Sequence, residues 1–544
     1  MKNVRDSVHG NIIVDSKYVD TILDTPAFQR LRRIEQTAIR SIYPSARHDR
    51  FIHSLGVYYI GSLIVSHLAD EFKIVIEAEG SDGTYYGFSQ DEIDRITNSY
   101  LIACLLHDIA HAPFSHTFEK YYGSQPRLFD ELNSLLEGKL TGELKKVESP
   151  NFHEYASAIV AFREYREVIE YDLNADVELV CRMIIGAFYK KEKNCHELHN
   201  CFISLLHGDV VDADRIDYAC RDVWASGYCT SSIDVRRLVA AIYIRKEKIT
   251  NELNVCFESN ALNEISNMLD VRQFQNRYVI NHHSVQYEQA LMIRAAELAA
   301  MKKYSVKGGY EALRNFINIE SCMSKRLSDE DLLMLMKENP DNEFYKEFSS
   351  RRYTRFAIWK TPDEFYAYFR RVPRGVSLKH KDFDERVRVT LKDAMGIENV
   401  LVCDVKYKPS VNLKSLYIVV NDEMLRYTDI HQELKVDLSD VERDIVFYYV
   451  YVPKHSVNGS LDEYRSKLVE CLTPLFDELY PLTIAEEPIY NYLLSGLKKA
   501  FAAVEPERKE EREQQIDRLK KKIGLQEFVA ITKIGNLIEN YSKE

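Results

Sequence analysis

No uninterrupted apolar run in the 544-residue chain reaches the ~20 residues that a membrane-crossing helix needs. The opening residues, MKNVRDSVHGN, hold no apolar stretch of the kind a secretory leader carries. The ten cysteines are scattered without a framework pattern, which favours reduced thiols and a cytoplasmic location. There is no basic excess either, since the formal net charge is -12. That balance argues against a broad basic face for nucleic acid, although a small basic pocket for one phosphorylated ligand remains open. Neither an internal repeat nor a low-complexity tract is visible.

Hydrophobic residues at 45% and charged residues at 29% give the composition of a globular protein, and the length calls for two or three packed units. The fold class expected is mainly α: a helical first half followed by a mixed α/β region. Apolar residues recur at three- and four-residue intervals over 51–72 and 97–111, which predicts helices, with a polar loop over 77–92 between them. Residues 214–224 and 260–280 also read as helical, and 251–259 as a strand. Beyond about 310, the segments 400–408, 415–422 and 444–454 are rich in β-branched and aromatic residues and predict strands. The expected division is therefore 1–310, 311–500, and a charged helical tail over 501–544 that includes PERKEEREQQIDRLKKKIG.

Residues 105–116 read LLHDIAHAPFSH, with three histidines and one aspartate at the end of an apolar run. Such groups cost stability when buried unless they are hydrogen-bonded, paired or liganded. On a helix, His107 and His111 would share a face with Asp108 beside it, a start for a metal site that needs further ligands from elsewhere. His53 and Asp214 are candidates for these.

The string HDIAHAPFSH, together with DSVHGNI (6–12), DTPAFQRLRRIEQ (24–36), RHDRFIHSLGV (47–57), FHEYASAIV (152–160) and DADRIDYACRD (212–222), resembles the HD-domain phosphohydrolases. Within them it is similar to the deoxynucleoside triphosphate triphosphohydrolases related to the SAM-and-HD-domain enzyme. The resemblance covers about the first 300 residues. It implies that His53, His107, Asp108 and Asp214 hold one divalent metal, whether Fe, Mn, Zn, Ni or Mg, a choice the ligand types do not decide. Such a metal lowers the pKa of water from ~15.7 towards ~7 and polarises a phosphoryl oxygen. The implied reaction is attack at the α-phosphate of a dNTP, releasing a deoxynucleoside and intact triphosphate. His116 would donate a proton to the departing 5′ oxygen with Glu119 orienting it, although the family more often has Asp at that position. His111 would contact phosphate, and His153 would support the cluster.

The same resemblance assigns phosphate contacts to Arg50, Arg215 and Arg272, and sugar contacts to Gln36, Tyr218 and Asp222. It assigns an activating-nucleotide pocket at a subunit interface to Asp24, Gln29 and Arg32, which implies a homo-oligomer, dimer or tetramer. An Asp-Thr-Pro helix start would explain the Asp24 segment structurally instead. Partners expected are dNTPs and an activating nucleotide, with no membrane and no nucleic acid. Lowering dNTP pools, including as antiviral defence, is the implied setting. CHELHNC (195–201) has zinc-type residues, but its spacing fits no common zinc pattern and it reads as a polar loop. The alternatives are an HD phosphodiesterase or phosphatase on another nucleotide, or a nucleotide sensor or nucleic-acid-binding protein that has lost its chemistry.

Overall fold

A computed structural model describes residues 1–78, 88–140, 151–190, 195–227, 233–247, 250–370, 372, 382–407, 416–421, 423–427, 445–454 and 459–479. Most of the expected loop at 77–92 and the whole charged tail over 501–544 lie outside the described residues. The chain divides into two compact units: Met1–Arg352 with Lys408–Glu442, and Tyr353–Tyr407 with Arg443–Glu544. The described fold is mainly α with small sheets.

The first unit opens with an antiparallel hairpin, β1 (Lys2–Asp6) and β2 (Gly10–Val14), followed by a short helix α1 (Pro26–Gln29). Thr25, not Asp24, caps α1, its hydroxyl accepting from Phe28 N at 3.4 Å. The helices that carry the core follow: α2 (Arg50–Ala78), α3 (Gln90–Leu106), α4 (Phe152–Glu167), α5 (Val177–Ile185), α6 (Cys195–Leu206) and α7 (Ala213–Ser226). Their starts are written in the chain. Ser89 and Glu92 form a reciprocal capping box on α3, and Asp212 caps α7 by accepting from Arg215 N at 2.7 Å.

Leu55, Ile60 and Ile64 of α2 and Tyr100, Ile102 and Leu106 of α3 are fully buried. Each such side chain contributes about 1.5–3 kcal/mol through loss of apolar surface. Close approach of α2 to its neighbours needs glycine. A Cβ on Gly56 would lie 1.9 Å from Asp217 Oδ1, and one on Gly61 would lie 2.8 Å from Cys104 Sγ. By length and composition Arg50–Phe72 is long and apolar enough to cross a membrane although polar residues interrupt its apolar run, and 61% of that window is buried inside the fold. It also carries buried His53 and Ser54, as the core helix of a folded unit does.

Strands β3 (Ile242–Lys246) and β4 (Leu253–Glu258) form a hairpin, and helices α8 (Leu262–Phe274), α9 (His283–Tyr304) and α10 (Asp329–Lys337) complete the main run of the first unit. In the second unit β5 (Arg355–Ala357), β6 (Leu401–Tyr407) and β9 (Ile445–Pro453) make an antiparallel sheet in the order β5-β9-β6. Buried Trp359, Phe365, Phe369 and Phe476 form its aromatic core. The strands β7 (Tyr417–Val420) and β8 (Glu423–Arg426) return to the first unit, where β7 pairs parallel to β4 through Cys256↔Tyr417 and its neighbours.

Candidate metal centre and catalytic cluster

Apolar periodicity through residue 111 predicted a helix with His107 and His111 on one face. The helix instead ends at Leu106, and His107 is its C-cap, its N–H donating to Ala103 O at 2.9 Å. Residues Asp108 to Ser115 leave the helix because other parts of the chain capture their backbone. Arg30 donates to Ile109 O at 3.4 Å and His111 O at 2.6 Å, and Tyr122 Oη donates to Ala110 O at 2.7 Å. Ser157 Oγ accepts from Ala110 N, and Asp329 Oδ1 accepts from Phe114 N at 2.6 Å. Phe114 and Ser115 both take left-handed backbone conformations, with φ of 55° and 50°, a strain that these bonds hold in place. The loop therefore sends His107 and His111 to different clusters.

His53 from α2, the His107–Asp108 pair after α3, and Asp214 from α7 converge. His53 Nε2 lies 3.0 Å from Asp214 Oδ1, 3.6 Å from Asp108 Oδ2 and 3.4 Å from His107 Nε2. His107 Nε2 lies 3.6 Å from Asp108 Oδ2 and 3.7 Å from Asp214 Oδ1. Ligand atoms about 2.1 Å from a common cation stand about 3.0 Å apart in cis octahedral positions and about 3.4 Å apart in a tetrahedron. The donor set fits a divalent metal of the borderline type.

The imidazole tautomers make the same point. His107 Nδ1 faces Cys104 O at 2.9 Å and His53 Nδ1 faces Asp217 Oδ2 at 2.7 Å, so both Nδ1 atoms donate outward. The two Nε2 lone pairs are left pointing at each other, an arrangement that needs a positive charge between them. Burial opposes charge on His53, but Asp214, Asp217 and Asp108 outweigh it and raise its pKa to about 10. In the protein alone, the demand for positive charge is met by a proton that a metal would displace. Asp214, with 36% of its side chain exposed, forms the open edge of the centre.

Asp108 also faces a second cluster. Its Oδ1 lies 3.1 Å from His111 Nε2, while Arg50 Nη1 donates to its Oδ2 at 2.8 Å. Burial alone would raise the Asp108 pKa, but Arg50, His107 and His111 hold it well below the usual carboxylate range. Glu119, at the start of the turn Glu119–Tyr122, reaches three imidazoles: His111 Nδ1 at 2.7 Å, His116 Nδ1 at 3.1 Å and His153 Nδ1 at 3.0 Å. The expected i, i+3 pairing of His116 with Glu119 is present across two 3₁₀ turns rather than in an α-helix. His111 and His153 stack with ring centroids 4.1 Å apart.

Burial opposes ionisation of Glu119, but the three imidazoles keep its pKa well below normal. For His153 burial is outweighed by Glu119, giving a pKa of about 9, whereas burial and Arg50 push His111 down to about 4. The close approaches of His111 to both carboxylates are oblique. Both its ring nitrogens and Glu119 Oε1 are buried within ion-pair distance of their partners but without a directed hydrogen bond. His116 is 63% exposed, at the mouth of the cluster. In the second cluster His111, His116, Glu119 and His153 each bring a ligand atom within 4.8 Å of the others, and in the first His53, His107 and Asp108 do so, with Asp214 approaching the two imidazoles.

Residues 50–219 match the family model described as HD domain, and that span holds all four residues of the first cluster and all four of the second. The chain carries an HD domain. It is 27% identical over 330 residues to an uncharacterized protein of Mycoplasma genitalium, covering 60% of this chain and 66% of that one. It is 27% identical over 297 residues to the human deoxynucleoside triphosphate triphosphohydrolase SAMHD1, covering 52% of this chain and 42% of that protein. The chain thus spans between about two fifths and two thirds of these curated relatives. Among solved structures, a hypothetical protein from Aquifex aeolicus matches with TM-score 0.55 and 20% identity, covering 86% of this chain and 99% of that one. A phosphohydrolase from Bacteroides thetaiotaomicron matches with TM-score 0.54 and 19% identity, covering 84% and 100%. These two likenesses establish the fold.

Around the HD domain's metal cluster, α7 presents Asp214, Tyr218 and Asp222 along one row at four-residue spacing. Arg272 of α8 stands over the Tyr218 ring at 5.8 Å, and its Nη1 is buried without a hydrogen bond. Gln36 Oε1 is buried in the same unpartnered state. Asp222 is held by His48 Nε2 at 2.7 Å, a partner the sequence reading missed. Arg50 and Arg215, expected to contact phosphate, are each paired with a carboxylate in the structure. Arg50 is committed to Asp108 and, at 3.0 Å, to Ser115 Oγ, and Arg215 is paired with Asp212. Asp24 is bridged to Lys2 at 2.5 Å, Gln29 donates to Leu23 O, and Arg32 binds Gln29 Oε1 at 2.9 Å and covers the Phe51 ring.

CHELHNC is not a loop: it opens helix α6, whose Leu198, Phe202 and Ile203 are buried. Sequence reasoning also gave no role to His9, Asp217, Arg30 or Asp329. For His9 and Asp217 the signal was present, since both stand in quoted motifs, DSVHGNI and DADRIDYACRD.

Proposed function

We propose that this protein is a metal-dependent phosphohydrolase that cleaves dNTPs to a deoxynucleoside and inorganic triphosphate. The observation that carries the reading is the shared carboxylate. Asp108 joins a two-histidine, two-aspartate metal cluster to a cluster of three imidazoles around Glu119. Relatives bearing the name deoxynucleoside triphosphate triphosphohydrolase support the choice of substrate.

A divalent cation held by His53, His107, Asp108 and Asp214 would supply Lewis acidity to phosphorus and acidify a water for attack. The chain's own groups do the rest. Arg50 balances the charge on Asp108, and His111, neutral near pH 7, offers a ring N–H to a phosphate oxygen. His153, cationic near pH 7, adds positive charge beside Glu119. As the bond from water oxygen to the α-phosphorus forms, the bond from phosphorus to O5′ breaks and its electron pair stays on O5′. His116, oriented by Glu119, delivers the proton that neutralises it. Tyr218, Asp222, Gln36 and Arg272 line the place for the sugar and phosphates.

The same reading includes an activating nucleotide held at Asp24, Gln29 and Arg32 in an assembly of subunits; of these, Arg32 donates to Gln29 Oε1 at 2.9 Å. The test is incubation of purified protein with each dNTP, singly and in mixtures, across several divalent metals. Deoxynucleoside and intact triphosphate are expected. Orthophosphate or pyrophosphate as product would overturn the dNTP triphosphohydrolase reading in favour of another HD phosphohydrolase activity.

A further inference from the structure

The hairpin β1–β2 lies before the residues that match the HD domain, yet it reaches the back of the metal centre. His9 Nε2 lies 2.6 Å from Asp217 Oδ1, across 208 residues of sequence. The other oxygen of Asp217 accepts from His53 Nδ1 at 2.7 Å, and Arg221 donates to both oxygens at 2.8 and 2.9 Å. Arg221 in turn donates to Asp6 of the hairpin at 2.8 and 3.3 Å. The side chains of His9, Asp217, Arg221 and Asp6 are all 4% exposed or less.

Nothing in this array has room to drift. Asp6 accepts from the backbone of Val8 at 3.2 Å and His9 at 2.8 Å, and Gly10, with φ of 79°, supplies the left-handed turn that brings the strand back. The His9 ring rests on Tyr59 of α2 at 5.2 Å, and the absence of a Cβ on Gly56 leaves just the space that Asp217 fills. Without His9, Asp217 Oδ1 would keep only Arg221, and the carboxylate that fixes the tautomer and aim of His53 could rotate.

We propose that His9 is a positioning residue of the metal centre, acting through Asp217 on His53, so that docking of the hairpin sets how tightly the centre holds a divalent cation. The inference rests on the metal centre described above and not on the identity of the substrate. Outer partners of metal-bound histidines typically change metal affinity by about 10–100-fold when removed.

The experiment is titration of the full-length, metal-stripped protein with Mn²⁺, following free Mn²⁺ by electron paramagnetic resonance, with no nucleotide present. His107→Ala locates the site by abolishing high-affinity binding. His9→Ala is expected to weaken binding about 10–100-fold. His9→Gln, whose amide N–H can still reach a carboxylate, is expected to recover most of the loss. His67→Ala serves as the control, since His67 sits on the same helix but bonds Ile242 O at 2.9 Å, and wild-type affinity is expected. Should His9→Ala not fold, Asp6→Asn loosens the same hairpin while keeping His9, and severalfold weaker binding is expected. Unchanged Mn²⁺ affinity in folded His9→Ala or Asp6→Asn overturns the proposal, as does equal weakening in His67→Ala. Tight Mn²⁺ binding without triphosphate release overturns the substrate reading and leaves this one standing.

Discussion

On one side of Asp108, each imidazole nitrogen not aimed at the centre is tied outward, His53 to Asp217 and His107 to Cys104 O. On the other side, His111 has no directed hydrogen bond at either nitrogen, and His116 is open to solvent. The first cluster is preorganised for a fixed occupant. The second is tied at His153, which bonds Glu119 at 3.0 Å, but it leaves the His116 ring at the surface, as suits a group that must meet a substrate and pass a proton. One carboxylate serves both, so the two sets of side chains can differ in rigidity while sharing a position in space.

Substitution in the shared carboxylate should have the largest effect. Asp108→Ala, like His107→Ala, is expected to abolish both turnover in every nucleotide mixture and high-affinity Mn²⁺ binding; activity near wild type in either variant refutes the metal assignment. Next comes His116→Ala, with kcat lower by about 10²–10⁴-fold and Mn²⁺ affinity unchanged. Loss of metal binding in that variant would erase the distinction between the two clusters. A smaller but structural effect is expected from Gly56→Ala. The added methyl meets Asp217, and overpacking of this kind costs about 1–3 kcal/mol. A lower Tm together with weaker Mn²⁺ binding is expected, and unchanged values would show that the first cluster is looser than described.

The smallest effect concerns pH. Asp329, which anchors the loop of the second cluster through Phe114 N, has its pKa raised to about 7, chiefly by burial. A carboxyl whose folded pKa is raised binds protons more readily when folded, so its contribution to stability declines as pH rises from about 4 through about 7. Asp329→Asn removes that slope. The wild-type Tm is expected to fall relative to the variant between pH 5 and pH 8, and parallel Tm curves would contradict it.

The chemistry of the centre was legible in the sequence because it depends on residue type: HDIAHAPFSH, His53 and Asp214 announce it. The helix boundary was not. Ile109 and Ala110 are buried and continue the apolar rhythm of α3, while the groups that end the helix, Arg30, Ser157, Tyr122 and Asp329, come from elsewhere in the chain. The reach of Glu119 was underestimated for a related reason, since spacing shows only its neighbour His116 and not His153 from α4. The strands at 400–408, 415–422 and 444–454 were visible from composition, but strand composition carries no information about partners, and β7 lies in a different sheet from β6 and β9.

The parallel pairing of β4 with β7 gives synthesis of the chain a timetable. Residues 256–258 wait for residues 417–419, which are made only after the first two strands of the other unit have been produced. Until then a nascent chain carries β4 with one row of backbone donors and acceptors unpaired, the kind of edge that recruits stray strands. A fragment stopped at Arg352 keeps both ionisable clusters yet inherits that exposed edge, so self-association is the hazard to watch for when the protein is shortened.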